Sequence, residues 1–393
     1  MWPLALYFHI PFCAYRCRYC NFVFETGWSP RVMEQTLQKL VSDSEQWKPA
    51  LEERGWNGQI RTVYWGGGTP SVLPLGQMKG LLQRLSKLWG ISNFPVEEWT
   101  VEVNPENLSV EMLKLLEDQG VTRLSLGIQT FDDQALSVLG RRTDSRTNLH
   151  ALELTASRWP GSWSADLMTG LPGQEEVQTD LRTLLSFSPP HVSLYALTIE
   201  EGTPLATMVK QGHVDLSEEK AEDFWIESRD ELVASGRHWY EVSNFALPGH
   251  EGKHNQSYWR MDPNLGLGPG AASTLPVIGP NGTKMQRRHE PSLFRWLSGA
   301  SASVEVLSEN ALLKEYFLTA LRTSEGLDLE RLNPLGLQAR DWALAVGASW
   351  RQRGLANVGR YLSLTPEGRL ILDALLRDLD WPELPEIVPN ALG

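Results

Sequence analysis

Cys13, Cys17 and Cys20 are the only cysteines in 393 residues, and all three lie in the run Cys13-Ala14-Tyr15-Arg16-Cys17-Arg18-Tyr19-Cys20. Thiolates are metal ligands, and this spacing lets all three reach one object. The number three is informative. A structural zinc site completes a tetrahedron of four protein ligands. A four-iron cluster held by protein alone takes four cysteines. Three cysteines therefore point to a [4Fe–4S] cluster with one iron left open to another ligand. A zinc site completed by His9 is the competing assignment, but His9 sits in an apolar strand-like run, not at zinc-finger spacing. No cysteine is left over for a disulfide.

A second group of residues could hold what the open iron binds. Gly66-Gly67-Gly68-Thr69-Pro70 follows a strand-like run and precedes a helical one. Glycines let the main chain approach a ligand closely, and their N–H and C=O groups can match a charged amino-acid moiety. Read alone, the triplet is equally a tight turn. It is not a phosphate loop, because the Gly-Lys-Ser/Thr ending is absent. Glu102, Gln129 and Asp166 stand at or near the ends of later strand-like runs. A carboxylate such as Glu102 can accept bonds from vicinal hydroxyls. Asp166, on a strand expected to be buried, needs a partner. His250-Glu251-Gly252-Lys253-His254 fits H-E-x-x-H. Pro248, Gly249 and Gly252 deny it the helix that would bring both imidazoles to one face, so the zinc-protease reading is rejected.

The elements that must position these groups alternate. Strands are expected at Leu4–Ile10, Gln59–Trp65, Glu98–Val103, Val121–Ile128, Trp163–Met168 and His191–Ile199. Between them the apolar recurrence predicts helices over Arg31–Trp47, Leu75–Trp89, Leu108–Gln119, Asp132–Leu139, Arg146–Arg158 and Glu175–Phe187. Pro49 is expected to help end the first helix. This alternation predicts βαβ units and a parallel sheet. Ligands of such sheets bind beyond the carboxyl ends of the strands, where the glycine loop, Glu102, Gln129 and Asp166 all fall. Further helices are expected at Leu216–Ser235, His289–Gly299, Glu309–Thr323 and Leu337–Arg353. An extended pair over Gly354–Leu364 and a helix over Pro366–Asp380 follow.

The composition is globular, with 41% apolar residues. A formal charge of -12 argues against non-specific nucleic-acid binding, although Arg287-Arg288-His289 is a local basic cluster. No export signal or membrane-spanning run is expected, which places the chain in the cytoplasm and leaves peripheral membrane association open.

The spacing C-x3-C-x2-C, with Tyr19 before the third cysteine, resembles the signature of the radical S-adenosylmethionine superfamily. Tyr7-Phe8-His9-Ile10-Pro11-Phe12-Cys13 resembles the entry motif of its oxygen-independent coproporphyrinogen III oxidase-like family, including the HemW heme chaperone branch. That resemblance implies an α/β fold: a partial (βα)6 TIM-type barrel over 1–235, a barrel extension and pocket segment over 236–302, and a smaller winged-helix-like domain over 303–393. The tail lacks a basic stripe, so a lid, scaffold or partner surface is preferred to DNA binding. The resemblance also implies that Cys13, Cys17 and Cys20 hold three irons of the cluster. S-adenosylmethionine would bind the fourth iron, with Tyr7, Tyr19, Gly67, Gly68, Thr69, Glu102, Gln129, Arg141 and Asp166 as the cofactor-site residues. In that family the reduced cluster cleaves the cofactor to a 5′-deoxyadenosyl radical.

His9, His254 and Tyr258 are candidates for a substrate or heme pocket. The leading expectation is a heme chaperone that carries heme as cargo to an acceptor, for example a membrane respiratory enzyme, with an electron donor for the cluster. The alternative is a radical methyltransferase or other radical enzyme acting on a tetrapyrrole or another planar substrate. Coproporphyrinogen oxidation ranks below both, because the fuller motif C-x3-C-x2-C-x-C meets Phe22 at its last position. A non-catalytic DNA- or protein-binding module is the remaining class. Relatives in the chaperone branch carry tyrosine and histidine where this chain has Asn264 and Ala272.

Overall fold

The computed structural model describes residues 2–91, 95–175, 178–279 and 282–384. Six strands lie parallel: β1 (Trp2–Ile10), β2 (Trp56–Gly67), β3 (Glu98–Val103), β4 (Arg123–Gln129), β5 (Ser162–Thr169) and β6 (His191–Ala196). They are neighbours in chain order, without reversal. A doubly wound sheet reverses at a switch point, so winding in one sense is the barrel-type order. The helices between and after them are α1 (Pro30–Glu53), α2 (Leu75–Trp89), α3 (Val110–Asp118), α4 (Asp133–Leu139), α5 (Ser145–Arg158), α6 (Gln178–Leu185), α7 (Pro204–Lys210) and α8 (Glu218–Ala234). The expected start of α6 before Gln178 includes residues 176 and 177, outside the described residues.

Period-two alternation gives the sheet two chemically different faces. Trp99, Val101, Leu124, Leu126, Trp163, Ala165, Val192 and Leu194 are buried in the main apolar core. Their neighbours Thr100, Glu102, Ser125, Ser164, Asp166, Ser193 and Tyr195 point the other way and line one cavity. Strands of a parallel sheet are commonly apolar on both faces. The polar set here marks the inner face as a binding surface.

The sheet continues at both edges. β7 (His238–Trp239) and β8 (Asn244–Ala246) add to β6. β9 (Asn264–Leu267) pairs parallel with β1, followed by antiparallel β10 (Ala272–Gly279), β11 (Gly282–His289) and β12 (Ser303–Val306). Helices α9 (Lys253–Trp259) and α10 (Leu293–Leu297) accompany this extension. The helix expected over His289–Gly299 shrinks to α10, because His289 is still paired in the β10–β11 ladder.

The last part of the chain has its own apolar core, which includes Leu313, Phe317, Leu332, Trp350 and Leu362. It comprises α11 (Glu309–Ala320), β13 (Leu327–Asp328), α12 (Leu337–Gln352), β14 (Ala356–Val358), β15 (Tyr361–Leu364), α13 (Pro366–Leu370) and α14 (Leu372–Arg377). One helix was expected over Pro366–Asp380. It breaks at Ile371, and Leu372, Leu375 and Leu376 turn into the core. This unit docks on β7 and the residue that follows it. Ser324 N–H donates to the Tyr240 carbonyl at 2.9 Å, and the Arg369 guanidinium stacks 3.6 Å from the Trp239 ring. Among the described residues no helix is long and apolar enough to cross a membrane.

Pro49 does not end α1; the helix runs four residues further, to Glu53. That last turn buries Leu51 completely in the core, which outweighs the hydrogen bond lost at the proline. Pro49→Ala should restore that bond and raise unfolding free energy by about 1–2 kcal/mol in chemical denaturation, less than the intrinsic propensity gap because the unfolded chain also gains freedom. A loss of stability would contradict this reading.

Candidate active site

A cavity of about 540 Å³ opens at the carboxyl ends of the parallel strands, within the size range of small-molecule sites. Its lining unites Cys13, Cys17 and Cys20 with Tyr19, Gly67, Gly68, Thr69, Glu102, Gln129, Arg141 and Asp166. The cysteine loop is held by its backbone. Gly68 N–H donates to Ile10 O, and Thr69 N–H to Phe12 O, both at 2.8 Å. Arg18 N–H reaches Leu139 O at 2.8 Å, and Leu205 N–H reaches Arg18 O at 2.9 Å. Three parts of the sheet's rim therefore fix one loop.

The thiols lie near enough to repel one another as thiolates. Burial pushes the Cys13 thiol up to about 12, the Thr69 hydroxyl at 3.7 Å eases it, and Cys20 and Cys17 raise it again. Burial also raises Cys20, with Cys17 adding to the effect. A cationic centre removes that repulsion and displaces the protons. The zinc alternative lacks its fourth ligand, since both His9 nitrogens are engaged. The donor set fits a multi-iron cluster.

The glycine loop departs from expectation in an informative way. Its N–H groups are already used: Gly67 donates to Glu102, while Gly68 and Thr69 hold the cysteine loop. What the loop can offer a ligand is therefore carbonyl oxygen, which suits an ammonium group. Glycine at 68 is a packing requirement, because a Cβ there would sit 2.7 Å from the Phe12 carbonyl oxygen. Gly67 has φ of +108°, and a Cβ there would strike the His9 ring at 2.6 Å.

The opposite wall is polar and charged. Tyr64 donates to Glu102 at 2.7 Å. Burial raises Glu102 to about 7; Tyr64 and the Gly67 N–H oppose the shift, and Asp166 adds to it. Burial likewise raises Asp166 to about 6, against hydrogen bonds from Ser193 and Ser125. Arg141 donates to the Gly127 carbonyl at 2.7 Å and lies 3.9 Å from the Cys17 sulfur. Burial opposes its charge, but Tyr19, Tyr15, Cys17 and Glu106 keep the guanidinium protonated. Asn104 joins Arg141 to Thr69, accepting from the first and donating to the second at 3.4 Å. Gln129 has φ of +70°, beside a register shift between β4 and β5. Strain of this kind in a non-glycine residue marks a position held for its side chain.

Buried polar atoms of Arg141 (Nε), Thr100 (Oγ1), His191 (Nδ1) and Asn244 (Oδ1) have no hydrogen-bond partner, and all four residues line the cavity. Such unmet capacity at a cleft matches a polar ligand.

Four anticipated residues are not brought to this cavity. Tyr7, His9, His254 and Tyr258 lie behind the wall formed by Tyr64, which stacks on His254 at 5.1 Å and tilts against Tyr7 at 6.0 Å. The Val23 carbonyl can only accept, so His9 Nε2–H donates to it at 2.7 Å. Tyr7 then donates to His9 Nδ1 at 3.1 Å. His9 is a clasp between β1 and the end of the cysteine loop. His254 bonds Thr62 at 2.8 Å and Tyr258 at 3.1 Å, and burial pushes its pKa down to about 3. Neither histidine has a ring nitrogen left for a ligand. His250 and His254 do not share a helix face either, since α9 begins only at Lys253. The sequence reading passed over Tyr64, Asn104, Ser125, Ser193 and Tyr195. Their signal was the polar phase of strands whose other phase is apolar.

Two substitutions test this site. Glu102 keeps its proton in the folded chain between its ordinary pKa of 4.5 and about 7, where the unfolded chain has lost it. Its contribution to stability is thus complete below the lower value and is lost as pH rises through the higher one. The thermal midpoint of the apoprotein should fall over that window, and Glu102→Gln should flatten the fall; an unchanged pH profile would refute the assignment. Gly68→Ala should push the cysteine loop away and lower the iron bound per chain severalfold after anaerobic reconstitution. Wild-type iron content in that variant would show that the contact is not needed.

The family model of the Radical SAM superfamily matches residues 7–184. Heme chaperone HemW of Lactococcus lactis is 34% identical, with 84% of each chain covered. Radical S-adenosyl methionine domain-containing protein 1 of Bos taurus is 35% identical, over 95% of this chain and 87% of that one. The solved structure of coproporphyrinogen III oxidase (HemN) from Escherichia coli superposes with a TM-score of 0.73 at 21% identity, covering 95% of this chain and 89% of that one. The α/β fold is therefore of the HemN TIM-barrel type. The cysteine loop, the glycine loop and the charged wall stand together on that fold, and the chain belongs to the radical SAM superfamily, in its HemW/HemN-like branch.

Proposed function

We propose that this chain binds S-adenosylmethionine against a [4Fe–4S] cluster on Cys13, Cys17 and Cys20 and directs radical chemistry at a tetrapyrrole or other planar substrate. The observation that carries this reading is the single cavity joining the three thiols to Glu102, Asp166 and Arg141. When bound, cluster and cofactor together supply one-electron cleavage of S-adenosylmethionine. The chain's own residues position and enclose. The carbonyls of Gly67 and Gly68 would accept from the cofactor's amine, and Glu102 would accept from its ribose hydroxyls. Arg141 keeps a fixed positive charge beside Cys17, and Gln129 lines the same cavity.

A second reading, heme transfer, is favoured by relatives called heme chaperones that match along most of their length. In it the same protein holds heme as cargo and passes it to an acceptor, such as a membrane respiratory enzyme, with an electron donor serving the cluster. Asn264 offers no ligand for this role. It is buried, and its side-chain oxygen accepts from Thr274 N–H at 3.1 Å, tying β9 to β10. In architecture we read the parallel strands as a partial (βα)6 barrel over 1–235, extended over 236–302, with a winged-helix-like unit from 303.

Anaerobic reconstitution followed by incubation with S-adenosylmethionine, reductant and heme or a porphyrin separates the readings. Altered tetrapyrrole with substrate-dependent 5′-deoxyadenosine is the expected result. Stoichiometric uptake of unmodified heme, then its transfer to an apo-acceptor, would overturn it in favour of the chaperone.

A further inference from the structure

Two aromatic rings on the cavity wall, those of Phe22 and Tyr195, have no role in the cofactor reading above. Phe22, two residues after the last cysteine, is 75% exposed and lines the cavity. Tyr195, at the end of β6, lines it too and is 42% exposed. Its exposed ring forms part of the cavity wall. The two lips are tied together: Asn21, next to Phe22, donates to Glu200 beyond β6 at 3.3 Å. Met168, Ala196 and Leu197 add apolar surface to the same lining. An aromatic ring exposed on a cavity wall offers a flat apolar ligand a face to stack on.

We propose that Phe22 and Tyr195 form an aromatic clamp that stacks on the macrocycle of a tetrapyrrole entering beside the cluster. The clamp rests on the functional reading above and adds the residues that would recognise a planar ring. In this chain Phe22 thus supplies a ring face where the coproporphyrinogen oxidase motif has a fourth cysteine.

The test is anaerobic titration of the reconstituted protein with heme and with protoporphyrin IX, followed through the Soret absorbance. Phe22→Ala and Tyr195→Ala should each raise Kd about tenfold for both ligands, consistent with one stacking contact. Tyr195→Phe, which keeps the ring, should bind like wild type. Phe22→Ala should leave the cluster spectrum and S-adenosylmethionine affinity unchanged. If wild type binds both ligands and both alanine variants stay within twofold of it, the clamp is wrong and the functional reading stands. If wild type binds neither, the tetrapyrrole reading itself falls. A lost cluster spectrum in Phe22→Ala would reassign that ring to holding the loop and overturn the clamp.

Discussion

Two backbone hydrogen bonds organise this molecule: Gly68 N–H to Ile10 O and Thr69 N–H to Phe12 O. They join the end of β2 to the start of the cysteine loop, where β1 has just ended. Each bond contributes on the order of 1 kcal/mol net, so their value is geometric. They set the position of three half-buried thiols that would otherwise sit on a free loop. They also consume the donors that a glycine-rich turn usually offers to anions. The same turn therefore builds the cluster loop and leaves only carbonyl oxygens toward the cavity. A side chain at Gly68 would strike the Phe12 carbonyl, so the pairing depends on the absence of a single Cβ.

The rest of the sheet serves that corner by keeping its two faces apart. The apolar face packs on the helices and supplies stability. The inner face is built from Glu102, Asp166, Ser125, Ser164, Ser193 and Tyr195, several of them buried at a cost in desolvation. Raised carboxyl pKa values are the sign of that cost, and they recur at sites built to bind or react. The chain thus carries polar surface inside a parallel sheet because the interior is a binding site.

Much of this was legible beforehand. The three-cysteine loop stood out because no other cysteine competes with it. The six parallel strands were visible through their alternation with helices, and Glu102, Gln129 and Asp166 through their place near strand ends. Other features were hidden for physical reasons. His9 and His254 are indistinguishable from ligands in a sequence, and only their partners Tyr7, Val23, Thr62 and Tyr258 reveal that their nitrogens are engaged. Pro49 looked like a helix end because propensity favours one there, but burial of Leu51 prevails. The β10–β11 hairpin escaped notice because its strands depend on pairing with each other rather than on a strong local signal.

The most direct test is electron paramagnetic resonance of the reconstituted, reduced protein with and without S-adenosylmethionine, alongside iron and sulfide analysis. Three cysteines on a site-open cluster predict about four irons and four sulfides per chain. They also predict a reduced-cluster signal whose shape changes when the cofactor is added. A signal indifferent to S-adenosylmethionine, or a chain that holds one zinc in place of the cluster, would contradict the account.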